Sequence, residues 1–464
     1  MTHDTPFAGE TVAVLGLGRA GLSGAQALAR LGARVLAWDD AEPARLQAAA
    51  AGVPLADLAT ADFGAIDALL LSPGIPHRLP APHPVAARAE AAGTPIVCDA
   101  DLLFRAVRET GSAARFAGVT GTNGKSTTTA LVGHILECAG QPHATGGNLG
   151  TPALALNILG SDGVYALEMS SYMLERLARI RFDAAAMLNL SPDHLDRHGD
   201  MAGYAAAKRR IFDRQDGACT AVIGVDDAAG RAMADELAAG PAPLIRISGT
   251  AAIPGGVYVE NARLIDARGP HAQRIASLVR HPTLPGAHNA QNAAAAAALA
   301  LSLGIPAEDV AAGIASFPGL PHRQERVGAL DGVLFVNDSK ATNADAAARA
   351  LACYPRVFWV AGGRAKEGGI AALAPLFPRI ARAFLIGESA TPFAATLAEH
   401  GVAHEIALTL EQAVPAAFAA ARAEAPSVVL LSPAAASFDQ FASFEARGAA
   451  FRAAVARLGA ERAA

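Results

Sequence analysis

A chain of 464 residues exceeds what one hydrophobic core holds and calls for two or three domains. With 52% hydrophobic and 17% charged residues it is no disordered protein, and a net charge of -5 argues against a general nucleic-acid binder. The N-terminus lacks a basic-then-apolar run, the Ala-rich stretch from Asn292 to Leu303 is too short to span a bilayer, and Cys98, Cys138, Cys219 and Cys353 show neither metal spacing nor a disulfide framework, so a reducing cytoplasm is the expected compartment.

The first block alternates strand-like runs, Thr11 to Leu15, Arg34 to Trp38, Ala68 to Leu71 and Pro95 to Val97, with helical segments, as a parallel α/β sheet requires. Directly after the first run comes Gly16-Leu17-Gly18-Arg19-Ala20-Gly21, and Asp39 follows at roughly the twenty-residue spacing of an acid that contacts a ribose. Alone this fingerprint suggests a dinucleotide-dependent oxidoreductase. The same glycine and helix-N-terminus physics holds other nucleotide diphosphates, so it gives geometry and not cofactor identity. The loop Leu71-Ser72-Pro73-Gly74-Ile75-Pro76 either completes that pocket or is a surface turn with Pro and Gly for shape alone.

The second block opens on Gly118-Val119-Thr120-Gly121-Thr122-Asn123-Gly124-Lys125-Ser126, after a short strand over Arg115 to Thr120 and before a helix over Thr127 to Glu137. A glycine-rich turn with a Lys-Ser pair at a helix N-terminus is how a chain holds nucleotide phosphates: Lys125 reaches the β and γ phosphates and Ser126 helps hold Mg²⁺. The usual pattern places a glycine where this chain has Val119. Further runs at Gly163 to Leu167 and Ala184 to Leu188 end at Glu168-Met169-Ser170-Ser171-Tyr172 and at Asn189 to His198, where Asp193, His194, Asp196 and His198 crowd together. A carboxylate at a strand's C-terminal edge suits Mg²⁺, although either segment alone could be a solvated loop. Phe317-Pro318-Gly319-Leu320-Pro321 reads as a linker into a third block with strands at Val333 to Val336, Arg356 to Val360, Arg382 to Ile386 and Ser427 to Leu431. The expected architecture is three α/β domains in series: a Rossmann-like domain over 1–108, a P-loop ATP-binding domain over 109–319 and a second Rossmann-like domain over 320–464.

With these segments in view, the chain resembles the Mur ligase family over nearly its whole length. The resemblance runs through Gly16 to Gly21, Ser72 to Gly74, Gly118 to Ser126, Gly147-Asn148, Glu168 to Ser171, Asp193 to Gly199 and Ala207-Lys208. It continues in Gly286 to Asn289 with Asn292, Pro321 to Arg323, Asn337 to Asn343, Gly362-Gly363, Leu431 to Phe441 and Phe444 to Gly448. It implies an ATP- and Mg²⁺-dependent amide-forming ligase of bacterial peptidoglycan precursor synthesis, a monomer without nucleic-acid partner or membrane anchor, acting on UDP-N-acetylmuramoyl-L-alanine and D-glutamate. A member adding another amino acid, or a folate-type glutamate ligase, is the alternative.

By that resemblance Gly121, Thr122, Asn123, Gly124, Lys125, Ser126, Thr127, Asn289, Asn292, Arg323 and Asp338 bind ATP. Arg19, Ala20, Asp39, Asp40, Gly74, Asn148 and His194 serve the UDP substrate, and Lys340, Thr342, Lys366, Ser437 and Phe438 serve D-glutamate. Ser126, Glu168, His194 and a carbamylated Lys208 attend the metal, and Lys125, Glu168, His194 and Lys208 are the catalytic set. Without the family, Lys208 in Ala205 to Arg210 reads as the basic face of a surface helix.

Overall fold

A computed structural model describes residues 5–462. The chain divides into two compact units, one comprising 1–279 with 289–316 and the other 280–288 with 317–464. The boundary at 316/317 lies beside the Phe317 to Pro321 segment. The earlier excursion of 280–288 into the second unit carries no comparable sequence signal.

The first unit holds two sheets. In the four-stranded one, Arg34–Trp38, Thr11–Leu15, Ala68–Leu71 and Ile96–Val97 lie side by side in that order, all parallel. Ala68–Leu71 is buried throughout and Thr11–Leu15 beyond its first residue, which is why both read as near-continuous apolar runs instead of alternating ones. The nine-stranded sheet runs Gln273–Ser277, Arg263–Asp266, Val257–Glu260, Leu244–Ser248, Thr220–Gly224, Ala184–Met187, Arg115–Thr120, Val164–Glu168, His143–Gly147. Its first two pairings are antiparallel and the rest parallel. Strand order reverses at Arg115–Thr120, whose successors lie on both sides of it, and in open α/β sheets ligands bind at such a switch point.

Two buried carboxylates of the helix Asp99–Glu109 tie the two sheets of this unit together. Asp99 accepts from Ala153 N at 2.8 Å, and Asp101 accepts from Ala178 N, from Arg179 N at 2.9 Å and from Ile180 N at 2.7 Å. The helix Gly286–Ser302 is buried continuously from Asn289 to Ala300, and alanine at Ala293 to Ala298 lets backbone approach where a longer side chain would be stranded.

In the second unit the sheet order is His404–Leu408, Ile380–Ile386, Val357–Gly362, Ser427–Leu431, Val333–Asn337, Glu325–Leu330, Glu461–Arg462, with parallel pairing until the last two, which are antiparallel. Val357, Trp359 and Ala361 enter one apolar layer and Phe358 and Val360 the other, the alternation of a strand covered on both faces. No helix among the described residues is long and apolar enough to cross a membrane.

Candidate active site

The phosphate loop leaves the central strand Arg115–Thr120 between Val164–Glu168 and Ala184–Met187. Gly121 (φ 142°) and Gly124 (φ 88°) occupy backbone conformations that L side chains avoid. A Cβ at Gly121 would stand 3.0 Å from Leu188 Cβ, and one at Gly124 would overlap Asn292 Oδ1. These two positions are therefore where the turn requires glycine, and Val119, buried in the strand, leaves the loop intact. The loop is held from the next strand's end: Thr122 N donates to Asn189 O and Asn123 N to Asn189 Oδ1, each at 2.9 Å, while Asn189 Nδ2 returns a bond to Asn123 O at 3.1 Å.

The helix predicted from Thr127 begins two residues earlier, over Lys125–Cys138, so Lys125, Ser126 and Thr127 form its first turn, and the N-terminus of a helix attracts anions. Lys125 Nζ donates to Gly121 O and Thr122 O, each at 2.9 Å. Asn292 Nδ2 donates to Asn289 Oδ1 at 3.0 Å, which sets the amide of Asn292 against Gly124.

Glu168 closes its strand and is 2% exposed. Its Oε1 accepts from Asn148 Nδ2 at 2.6 Å, whereas its buried Oε2 has no hydrogen-bond partner. An orphaned carboxylate oxygen out of water is costly, and a hard cation is the partner that relieves it. Among the described residues no three His, Cys, Asp or Glu side chains form a group that could hold a metal ion by themselves. Ser126 is buried at the helix start, and His194 sits in a left-handed conformation (φ 54°) with Nδ1 2.8 Å from Tyr172 OH.

Lys208 is 1% exposed, so it is no part of a solvated basic face. Its Nζ donates to Gly121 O at 2.8 Å and lies 4.6 Å from the centre of the Tyr204 ring. Burial, and then the Lys125 charge, pull its amine well below the usual lysine range against the opposing effect of Asp193 and Glu168. Both lysines thus converge on one carbonyl of the phosphate loop.

In the four-stranded sheet, Gly16 (φ 89°) packs so closely that a Cβ would meet Ile75 Cδ1 and Ser72 Cβ at 2.7 Å, and Ser72 Oγ donates to Gly16 O at 2.8 Å. The two loops therefore form one structure, which decides against the reading of 71–76 as an independent surface turn. Asp39 is drawn into the same turn, accepting from Leu17 N at 2.6 Å and from Ala41 N at 2.8 Å. Asp40 pairs with His83 Nε2 at 2.9 Å. Arg19 and Ala20 begin the helix Arg19–Arg30, with Arg19 and Gly74 exposed.

In the second unit, Asp338 follows Val333–Asn337 and is buried. It accepts from Ser432 Oγ at 3.0 Å and Gln324 N at 3.1 Å, and burial pushes its carboxyl up to about 7 despite these donors and Arg323. Arg323 is half-buried, its N–H donating to Leu320 O at 3.3 Å. Lys340 Nζ lies 4.2 Å from the centre of the Phe444 ring, and Thr342 N donates to Lys340 O at 2.8 Å. Lys366 is exposed beyond the strand Val357–Gly362. Ser437 is 2% exposed and Phe438 67% exposed beyond Ser427–Leu431.

Sequence reasoning passes over the residues that shape these loops. Arg447, 1% exposed, donates to Ser339 O (2.9 Å), Ser339 Oγ (3.0 Å), Ala435 O (3.0 Å) and Gly362 O (3.3 Å), gathering three loops, and burial lowers its guanidinium to about 10. Asn189 is bonded through Nδ2 to Gln291 Oε1 at 3.2 Å, and Gln291 Nε2 to Asp226 Oδ2 at 2.8 Å. Arg447 and Asn189 stand in segments the sequence singles out, but nothing in sequence tells which backbone carbonyls a buried side chain meets.

Comparison with known proteins adds identity to this geometry. Residues 119–300 match the Mur ligase middle domain, and residues 322–435 match the Mur ligase, glutamate ligase domain. The chain is 50% identical over 453 residues to the UDP-N-acetylmuramoylalanine–D-glutamate ligase of Caulobacter vibrioides, covering 97% of this chain and 96% of that one. It is 49% identical over 465 residues to the enzyme of the same name from Rhodospirillum rubrum, covering 99% and 97%. Among solved structures, UDP-N-acetylmuramate-alanine ligase MurC from Thermotoga maritima superposes with a TM-score of 0.57 at 17% identity over 97% of this chain and 99% of that one. MurF from Acinetobacter baumannii gives 0.57 at 21% over 76% and 80%.

Proposed function

The chain belongs to the Mur ligase family, and from that premise we propose that it joins D-glutamate to UDP-N-acetylmuramoyl-L-alanine at the expense of ATP, in peptidoglycan precursor synthesis in the cytoplasm. The observation that carries this reading is an identity of 50% across 97% of the chain to a relative bearing that activity in its name.

The carboxylate of the acceptor is a poor electrophile because its charge repels an amine. Transfer of the γ-phosphoryl group of ATP gives an acyl phosphate; attack by the D-glutamate amine gives a tetrahedral intermediate, which collapses to the amide and expels phosphate. The protein's task is to align two anions and neutralise them. Lys125 and the first turn of Lys125–Cys138, with Gly121, Thr122, Asn123 and Gly124 before it, hold the phosphates, and Asn289 and Asn292 back the loop. Ser126, Glu168, His194 and Lys208 would hold Mg²⁺. When bound, the ion screens phosphate charge and polarises the oxygens around the transferred group. Lys208 serves as a carbamate: its lowered basicity favours the neutral amine that adds CO₂, and the product turns a cation into an anionic oxygen group.

In the first block, 1–108, Arg19, Ala20, Asp39, Asp40 and Gly74 take the UDP moiety at the glycine turn, with Asn148 and His194 toward the muramoyl side. Residues 109–319 handle ATP. Residues 320–464 carry the D-glutamate contacts, Lys340, Thr342, Lys366, Ser437 and the backbone N–H of Phe438. Two separated donor sets fix the length and hand of a dicarboxylate.

The test is a coupled ADP-release assay over a panel of UDP-muramoyl acceptors and amino acids. Only UDP-N-acetylmuramoyl-L-alanine with D-glutamate should release ADP rapidly. Equal turnover of L-glutamate, or preference for another acceptor, would overturn the reading.

A further inference from the structure

The loop that carries Gly74 is wrapped around one guanidinium. Arg176 is 3% exposed, and its two terminal nitrogens spend all their bonds there: Nη1 donates to Leu71 O at 2.7 Å and Ser72 O at 3.1 Å, Nη2 to Pro73 O at 3.3 Å and Ile75 O at 2.7 Å. Four carbonyls of five consecutive residues thus point at one planar fork, a geometry the point charge of a lysine cannot reproduce. The neighbouring carboxylate, Glu175, lies 3.6 Å from Arg176 Nη2, 2.5 Å from Arg197 Nη2 and 3.4 Å from His77 Nδ1. Burial alone would raise Glu175, but His77, Arg197 and Arg176 together hold it down to about 2, so it is anionic at any working pH.

From this node the contacts run to the chemistry. Arg197 also donates to Ile75 O at 3.2 Å and lies 5.1 Å from the centre of the Tyr172 ring, whose hydroxyl meets His194. Arg176 and Tyr172 both follow Glu168 within eight residues. Attachment of the four-stranded sheet does not rest on this node alone, since Asp99 accepts from Ala153 N and Asp101 from the N–H groups of 178–180, just beyond Arg176. What Arg176 adds is the placement of a single loop at the C-terminal end of Ala68–Leu71, where α/β sheets present ligands.

We propose that Arg176 is a positioning residue for the UDP-linked acceptor: it fixes the Leu71–Ile75 loop relative to Glu168 and His194, and so sets where the acceptor carboxylate meets the phosphate site. The identity of the acceptor rests on the functional reading above; the clamp itself does not. A misplacement of about 1 Å at the reacting centre is worth on the order of a hundredfold in rate, so a loop held from four directions has a use beyond stability.

The experiment compares the wild-type protein with Arg176→Lys, which keeps the charge but cannot span the four carbonyls, and with the near-isosteric Glu175→Gln. In Arg176→Lys the acceptor KM should rise at least about tenfold while the ATP KM stays within about twofold, and amide exchange in 71–77 should accelerate while that in 118–126 does not. Glu175→Gln should shift the same quantities in the same direction by a smaller factor, and decides the matter if Arg176→Lys does not fold. An unchanged acceptor KM, or acceptor and ATP KM rising together, overturns the proposal. A wild-type protein inactive with the UDP acceptor overturns the functional reading instead, and the exchange comparison then decides whether Arg176 clamps the loop.

Discussion

The proposed phosphate loop of the first unit and the proposed D-glutamate loops of the second stand at the same place in their sheets, beyond the C-terminal ends of parallel strands, yet they are built differently. Around Gly121 and Gly124 the proposed receptor is the backbone itself, its shape set by left-handed glycines and by Asn189, with Lys125 and Lys208 bonded to the loop. Around Gly363 the rigid part is a buried scaffold, Arg447 holding Ser339, Gly362 and Ala435, while the proposed ligand contacts range from buried Ser437 to exposed Lys366 and Phe438. A preorganised site acts on the transition state, so damage to it lowers kcat. A site whose charged group is exposed at the surface must order it on binding, so damage there raises KM.

The largest effect expected of this difference is in the phosphate loop. Lys125→Ala should cut ADP formation by about a thousandfold, the upper range for losing one preorganised donor to a developing charge. Calorimetry should still find UDP-acceptor binding within about threefold of wild type, because Lys125 is assigned to the phosphates of ATP and the UDP diphosphate to the glycine turn of the other sheet. A folded mutant that no longer binds the acceptor would contradict the division of labour between the two sheets of the first unit.

Next is Lys208→Ala, for which we expect a loss of about a hundredfold. Small carboxylates such as acetate at high concentration should restore part of it by occupying the vacated anionic position. Full activity without rescue would remove the carbamate from the mechanism.

In the second unit, Lys366→Ala and Ser437→Ala should each raise the KM for D-glutamate by about tenfold with kcat nearly kept; water screens the exposed Lys366, and tenfold is about 1.4 kcal/mol. A drop in kcat at unchanged KM would mean that this site is as preorganised as the other.

The smallest effect is a pH dependence of stability. The Asp338 carboxyl sits at about 7 in the fold, raised by burial, against about 3.9 in the unfolded chain. The fold therefore binds this proton more tightly, and the contribution of Asp338 to stability falls as pH rises from about 4 to about 7 and is level above. The Tm of Asp338→Asn relative to wild type should climb through that window and then hold constant. A difference that does not vary with pH would show that the buried carboxylate is compensated in ways its neighbours do not reveal.

Much of this was legible beforehand, and the exceptions have physical causes. The phosphate loop and the parallel strands around it announce themselves because glycine at left-handed positions, Lys-Ser at a helix start and buried apolar runs are each required by local backbone physics. The hairpin Val257–Glu260 with Arg263–Asp266 was missed because its turn residues, Asn261 (φ 50°) and Ala262 (φ 55°), lack the Asn-Gly signature of a primed turn. Lys208 looked solvated because its neighbours are alanine and arginine; only the fold brings Tyr204 and the Gly121 carbonyl to it. Arg176 and Arg447 were invisible as organisers, since both act on backbone carbonyls remote in sequence, and any residue has a carbonyl.

The short segment 280–288 has a consequence for how the chain is made. It leaves the ribosome before 289–316, yet its partners come later: Thr283 Oγ1 donates to Phe317 O at 2.7 Å, His288 Nε2 accepts from Gln324 Nε2 at 3.1 Å, and Gly286 packs against Cys353. The second unit is therefore not a bead that a nascent chain adds after finishing the first. A gene fragment starting at residue 317 would synthesise a unit missing one of its own pieces, and a single proteolytic cut at 316/317 would leave that piece covalently attached to the wrong product.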